Sequence, residues 1–426
     1  MPNSLRTRFL QKLRNRLGGE AMPLRLVFWD GEVFDFAADP RVTITLTTPR
    51  LVRLFLLGDI AGLGRAYVKG EIGVEGRVEE VLAIGIRIAE RLGASPLLRR
   101  VGALLPHRRF RHSRKRDAAA IRYHYDVSND FYRLWLDRNM IYSCAYFVTG
   151  EEDLDRAQEQ KLDHICRKLR LKPGERLLDI GCGWGGLLHW AATRYGIEGV
   201  GITLSEAQRA YAQTWAETAG LQSRIEIRLQ DYREVAGEAL YDKIVSVGMY
   251  EHVGIANLPL YFAAIGRLLR PGGLVLNHGI TSGDRDGRAQ GPPGGEFIDQ
   301  FVFPGGEVPH ISHALYEVAG AGLEILDVED LRPHYPQTLV RWLARLEARR
   351  EEAIAAAGAE RYRIWRMYMA GMAHAFDRGW LSVCQTLAQK PAEGGMAARP
   401  WTRRYQYEDE AGAAAPLSRA LDWGTR

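Results

Sequence analysis

Residues 176–186, RLLDIGCGWGG, constrain this chain more than any other stretch. A short apolar strand carrying an acid, Asp179, near its end runs into a glycine-rich turn that opens a helix. Gly181, Gly183 and Gly186 fit G-x-G-x-x-G, a turn that lets backbone approach a nucleotide closely. Strand, turn and helix in that order predict β-α-β winding, with ligand bound beyond the carboxyl ends of the strands. The next strand, residues 198–204 (EGVGITL), ends in Thr203 with no acid at its tip.

Those two details bear on the ligand. A dinucleotide would bring pyrophosphate against Asp179 and would call for an acid about 20 residues on to hold a ribose. S-adenosylmethionine carries no phosphate, and its ammonium would be attracted to Asp179. The pattern therefore favours S-adenosylmethionine over a dinucleotide.

Helix and strand alternate from about residue 119. Helix is expected over 157–169, 185–195 and 205–219. Strands are expected over 176–180, 199–203, 225–229, 241–247, 274–278, 323–328 and 381–388, with a long helical region, 336–376, before the last of them. This is α/β: a mostly parallel seven-stranded sheet with helices on both faces. Residues 22–94 read as a smaller α+β domain. The expected organisation is an N-terminal domain over 1–96, a basic linker over 97–118, a catalytic domain over 119–390 and a mobile tail over 391–426.

The net charge, +5 from 57 basic and 52 acidic residues, is mild, so the placement of charge matters more. Residues 1–18 have the spacing of an amphipathic helix, with Leu5, Phe9, Leu10, Leu13 and Leu17 interleaved with five basic residues and no acid. Such a helix either lies on an anionic membrane surface or docks on its own domain. Four scattered cysteines without C-x-x-C argue against a zinc cluster or a disulfide framework. With no apolar run of ~18 residues and no signal-peptide core, a cytoplasmic protein is expected.

Further polar clusters sit around the predicted sheet. HYDVSNDF (124–131) and YSCAYF (142–147) precede it. SVGMYEHVG (246–254) spans the end of the fourth strand, and His278, Gly279 and Ile280 end the fifth. FIDQFVFPGG (297–306) reads as a loop, and His334 and Tyr335 follow the sixth strand. Glu251 and His252 are adjacent and lack an H-E-x-x-H frame, so no metal is expected. Together, YSCAYF, LDIGCGWGG, QDYR, SVGMYEHVG and FPGG, in this order, resemble the cyclopropane-fatty-acyl-phospholipid synthases and the related mycolic acid cyclopropane synthases. The resemblance runs from about residue 124 to 388.

The resemblance implies a Rossmann-like methyltransferase fold with S-adenosylmethionine as methyl donor and a cis-unsaturated phospholipid acyl chain as acceptor. It implies that the alkene takes the methyl, that a cation forms on the acyl chain, and that proton loss closes a cyclopropane. It carries over Tyr142 and Ser143 to the methionine end of the donor, and Gly181 and Gly183 to the turn. Thr203, Leu204 and Gln208 fall to the ribose, and Gln230 and Asp231 to the adenine. A bicarbonate base is implied, held by Cys144, Glu251, His278, the backbone of Ile280, and Tyr335. Taken singly, Cys144 reads as a buried small hydrophobe and His278 as a core histidine; five positions matching one pattern carry the weight. Tyr125, Phe147, Tyr250 and Phe303 are candidates to face the cation.

For a lipid substrate, the acid-free basic runs at 1–18 and 97–116 fit an anionic phospholipid bilayer better than nucleic acid, for which no binding module accompanies them. The expectation is a peripheral enzyme on the inner face of the cell membrane, with a homodimer left open. Methylation without ring closure, and a small-molecule methyltransferase, stay open as alternatives.

Overall fold

The computed structural model describes residues 2–17, 22–57, 59–77, 80–81, 83–85, 87, 128–285, 295–303, 306–392, 394 and 399–407. The basic linker, residues 124–127 of the first motif, and residues 408–426 of the tail lie outside these. The chain divides into two compact units, one of residues 1–111, 286–304 and 342–375, the other of 112–285, 305–341 and 376–426.

In the first unit, strands β1 (Leu24–Val27), β2 (Val33–Asp35), β3 (Val42–Leu46) and β4 (Ile72–Glu75) form a sheet in the order β2-β1-β3-β4. The helix Pro2–Leu17 docks on its own domain. Phe9 and Leu13 are buried in the core with Leu24, Val42 and Leu51, so this part of its apolar face is already covered. Arg6 pairs with Asp30 at 2.9 Å, and Arg14 lies over the Phe34 ring. Residues 342–375, placed with the catalytic region by the sequence reading, pack in this unit. Buried Arg366 donates to Glu347 at 2.8 Å and to the Tyr67 hydroxyl at 3.3 Å, and Arg363 donates to the Val68 carbonyl. Residues 297–301, expected as loop, lie in the helix Gly295–Phe301.

The second unit is built on β5 (Arg176–Ile180), β6 (Glu198–Thr203), β7 (Ile225–Leu229), β8 (Tyr241–Val247), β9 (Leu269–Ser282), β10 (Glu324–Asp330) and β11 (Leu381–Gln389). Their order is β10-β11-β9-β8-β5-β6-β7. β5 through β9 run parallel, and β11 is antiparallel to both of its neighbours. Alternation along each strand feeds two cores. Leu177, Val245 and Leu276 pack under the helices Leu154–Lys168, Gly186–Tyr195 and Glu206–Thr218. Leu178, Ile244 and Val275 pack under Leu258–Leu268 and Ile311–Gly320. This is the S-adenosylmethionine-dependent methyltransferase fold.

Most bounds fall within a few residues of expectation, and two departures have long-range causes. β9 continues past His278 to Ser282 because β11 pairs with it through Leu381. The tail between 399 and 407 is packed: Gln406 is buried, and its carbonyl meets His164 Nδ1 at 3.2 Å. Arg403 pairs with Asp327 at 2.9 Å, and Arg399 with Glu324 at 2.7 Å. Arg399 and Arg403 thus each meet an acid of β10.

Candidate active site

The glycine turn has physical reasons at each position. Gly181 and Gly183 have φ of 81° and 56°, in the left-handed region where a side chain is strained. A Cβ on Gly181 would meet Met249 at 2.8 Å, and one on Gly186 would strike the Asn139 carbonyl. The turn opens one wall of a cavity at the carboxyl ends of β5, β6 and β8. All ten residues assigned to the methyl donor line it: Tyr142, Ser143, Asp179, Gly181, Gly183, Thr203, Leu204, Gln208, Gln230 and Asp231.

Their bonding differs around the wall. Gln208 Oε1 accepts from Thr203 Oγ1 at 2.8 Å, which aims the amide nitrogen elsewhere. Asp231 is gripped by both Nε and Nη2 of Arg233, at 2.8 and 2.6 Å. Gln230 Nε2 donates to the Glu234 carbonyl. Burial pushes Asp179 up to about 7, against the nearby Lys161 charge. Lys161 also lines the cavity and donates to Ser143 Oγ at 2.9 Å, while Gln158 donates to the Ser143 carbonyl at 2.9 Å. Neither residue was singled out from the sequence. The available signal was a polar stripe, Gln158, Lys161, His164 and Lys168, on the helix Leu154–Lys168; all four are buried.

Of the five residues assigned to the second site, none lines the cavity, and Glu251 and Ile280 are joined by a hydrogen bond. Glu251 lies in the short 3₁₀ turn Tyr250–His252, between the cavity residues Met249 and His252. Its Oε1 accepts from the Ile280 N–H at 2.6 Å. His278 stands opposite Val247, the last residue of β8, and its Nδ1 is 3.2 Å from Gln385 Nε2. Gln385, on β11, is a further residue the sequence reading missed. Cys144 follows the cavity residue Ser143 and is fully buried, with Sγ 3.3 Å from the Ala145 carbonyl. Tyr335 is buried near the start of the helix His334–Ala348, its ring 4.4 Å from that of Phe376.

Burial governs the protonation of this cluster. It holds Cys144 far above the usual thiol range, so the sulfur is a neutral thiol and no nucleophile. It raises Glu251 to about 7 despite the Ile280 bond. It drives His278 well below 6.5, helped by the charges of Lys161 and Lys168, so the imidazole is neutral. Glu251 Oε2 and His278 Nε2 are both buried without a hydrogen-bond partner among the described residues. Such orphaned atoms are costly unless something polar meets them.

The aromatic candidates fare differently. Tyr125 lies outside the described residues. Arg341 covers one face of Phe147 at 4.5 Å, and His334 stacks on the ring. Phe303 pairs with Tyr368 in the first unit. The Tyr250 ring lies against Gly279, and its hydroxyl donates to the Ile280 carbonyl at 2.6 Å. Of the three described, Tyr250 adjoins Glu251.

The family described as mycolic acid cyclopropane synthetase matches residues 112–386. The chain belongs to that family. Residues 11–92 match a domain family of unknown function. A probable fatty acid methyltransferase of Pseudomonas putida is 45% identical over 91% of this chain and 96% of its own length. The cyclopropane-fatty-acyl-phospholipid synthase of Escherichia coli K12 is 38% identical over 67% of this chain and 71% of its own. Mycolic acid cyclopropane synthase CmaA1, solved with SAH and CTAB, superposes with a TM-score of 0.61 at 35% identity, covering 64% of this chain and 98% of CmaA1. This family member is an S-adenosylmethionine-dependent methyltransferase.

Proposed function

We propose that the protein transfers a one-carbon unit from S-adenosylmethionine to the cis double bond of a phospholipid acyl chain and closes a cyclopropane. The observation that carries the reading is the buried pair of orphaned atoms, Glu251 Oε2 and His278 Nε2, immediately behind the cavity wall at Met249 and Val247. S-adenosylmethionine bound in the cavity would supply an electrophilic methyl on a sulfonium. The alkene attacks that carbon, the C–S pair stays on sulfur, and the acyl chain is left as a cation. Loss of a proton from the new methyl then lets the C–H pair close the ring.

An alkene is a weak nucleophile, so rate rests on orientation in a dry site. Lys161 and Gln158 hold Ser143 in place for the donor's methionine end. The donor set of the second cluster suits a small oxyanion: a neutral thiol at Cys144, a carboxyl at Glu251 that holds its proton to about 7, a neutral imidazole and the Tyr335 phenol. Cys144, Glu251, His278 and Tyr335 would hold bicarbonate. The Ile280 N–H is spent on Glu251 and acts through that carboxyl. Bicarbonate bound there would supply the base for the proton the cation sheds.

We place the enzyme in the cytoplasm, peripheral on anionic lipid of the inner membrane face. Exposed Arg8 and Arg14 on the helix Pro2–Leu17 support electrostatic docking rather than apolar insertion, since Phe9 and Leu13 are buried. No helix among the described residues is long and apolar enough to cross a membrane.

The test is mass spectrometry of acyl chains after incubation of unsaturated phospholipid vesicles with methyl-labelled S-adenosylmethionine. A labelled CH₂ gain and upfield cyclopropyl proton resonances are expected; unlabelled chains would overturn the reading. A second reading, methylation to a branched or methylene chain, is supported by the Pseudomonas putida relative, whose match extends through the N-terminal region. The same spectra separate it by vinylidene or branched-methyl signals.

A further inference from the structure

His278 and Gln385 are two buried polar side chains facing each other at the centre of a strand pair. β9 and β11 run antiparallel in a register that sets Gln385 directly across from His278. Directly opposed residues of such a pair project to the same face, ~5 Å apart at Cβ. His278 is 1% exposed and Gln385 0%. Burying two such groups is unfavourable unless they satisfy each other. One contact joins them, Gln385 Nε2 to His278 Nδ1 at 3.2 Å, and it leaves Gln385 Oε1 and His278 Nε2 buried without a partner among the described residues.

That contact has a chemical consequence. An amide nitrogen only donates, so Nδ1 must present a lone pair, and a neutral imidazole with a bare Nδ1 carries its proton on Nε2. Nε2 is the ring atom left buried without a partner among the described residues, as is Glu251 Oε2. We propose that Gln385 is a positioning residue that fixes His278 as the Nε2–H tautomer and so points a single neutral N–H donor into the anion site behind the methyl-donor cavity.

The proposal rests on the site reading above for what that N–H meets, and on the strand geometry for the tautomer. Burial and the charges of Lys161 and Lys168 hold the ring neutral, so the Gln385 contact selects between its two neutral tautomers. Glutamine also suits the position chemically. A carboxylate there would pull the proton to Nδ1 and favour the charged ring, whereas an apolar residue would release the ring to either tautomer.

The experiment is nitrogen NMR of the full-length protein with ¹⁵N-labelled histidine, alongside single-turnover methyl transfer to unsaturated phospholipid vesicles. His278 is identified among the 11 histidines by the resonances lost in His278→Gln. The wild type is expected to show a protonated Nε2 and a bare Nδ1 for this ring. Protonation on Nδ1, or on both nitrogens, would overturn the proposal, and this readout needs no Gln385 variant to fold. Gln385→Glu is expected to move the proton to Nδ1 and lower kcat ~10–100-fold with the KM for S-adenosylmethionine unchanged. Gln385→Met is expected to give mixed tautomers and an intermediate kcat. Wild-type tautomer and kcat in both variants would also overturn it. Full turnover by His278→Ala would instead sink the site reading, and the tautomer would still be judged by the spectrum.

Discussion

The Glu251 carboxylate accepts a 2.6 Å hydrogen bond from the Ile280 N–H, and strand lengths explain why that N–H is available. β8 pairs with β9 as far as Val247 opposite His278, and the Gly248 N–H closes the ladder on the His278 carbonyl. Two residues on, β9 still has β11 on one edge but no β8 on the other. Ile280 therefore offers an unpaired donor just where the chain leaves β8, and Glu251 fills it.

Removing that partner separates structure from chemistry. Glu251→Ala leaves the Ile280 N–H buried and unsatisfied, a loss of about 1–3 kcal/mol, readable in urea unfolding. Glu251→Gln retains an acceptor and is expected to fold normally. Methyl transfer is expected to fall on the order of 10²-fold or more in both, measured with labelled donor.

Glu251 also predicts a pH dependence of stability. Its carboxyl has a folded pKa of about 7 against an ordinary 4.5, raised by burial. The unfolded chain releases this proton first, so the stability the group contributes is complete below about 4.5 and is lost as pH rises through 7. Glu251→Gln does not ionise. Its stability is expected to match wild type at pH 4 and to exceed it at pH 8.5, by a margin on the order of 1–3 kcal/mol. Scanning calorimetry at the two pH values checks the sign.

Gly279 has no room for a side chain. A Cβ there would overlap the Tyr250 ring, whose hydroxyl is bonded to the Ile280 carbonyl. Gly279→Ala is expected to displace Tyr250, destabilise the protein by about 1–3 kcal/mol and abolish most activity. Loss of the Tyr250 contact in a crystal structure of the variant would confirm the cause.

Lys161 is nearly fully buried, between Ser143 Oγ and the charges of Asp137 and Asp179. Lys161→Met removes the nearby positive charge that offsets the burial of Asp137 and Asp179, and is expected to raise both carboxyls further. Ser143 also loses its tether. Calorimetric titration is expected to show affinity for S-adenosylmethionine weakened by about tenfold or more, on the scale of one lost charged hydrogen bond.

The segment 399–407 is expected to matter for stability. His164 meets an acceptor at each nitrogen, Glu329 at 2.7 Å and the Gln406 carbonyl at 3.2 Å, and Lys168 shares Glu329. Ending the chain before Arg399 exposes His164 and leaves Asp327 without Arg403. A loss of about 1–3 kcal/mol is expected, measured as a fall in Tm against the full-length chain.

Much of the catalytic unit was legible because its signals are local. The bounds of β5, β7 and β8 agree with the alternation and glycine punctuation of 176–180, 225–229 and 241–247. The glycine turn follows from φ angles that only those residues adopt readily, and the ten donor-site positions share one cavity because parallel strands end together. Where pairing partners are distant in sequence, local reading stopped short. The extension of β9 to Ser282 depends on β11, about a hundred residues away, and Phe147 loses a face to Arg341. The basic helix at the N-terminus shows the same limit, because an apolar face does not record whether lipid or protein will cover it; here Phe9 and Leu13 meet protein.

By itself, the sequence determined a parallel α/β sheet, a glycine turn with a nearby acid, and therefore a ligand without phosphate at the strand ends. Those properties live in backbone conformation and near-neighbour periodicity. The tertiary structure alone decided that Lys161 and Gln158 brace Ser143, that Glu251 holds Ile280, and that Gln385 faces His278. Each of these joins side chains from separate elements, and burial there sets both their protonation and the need for a partner.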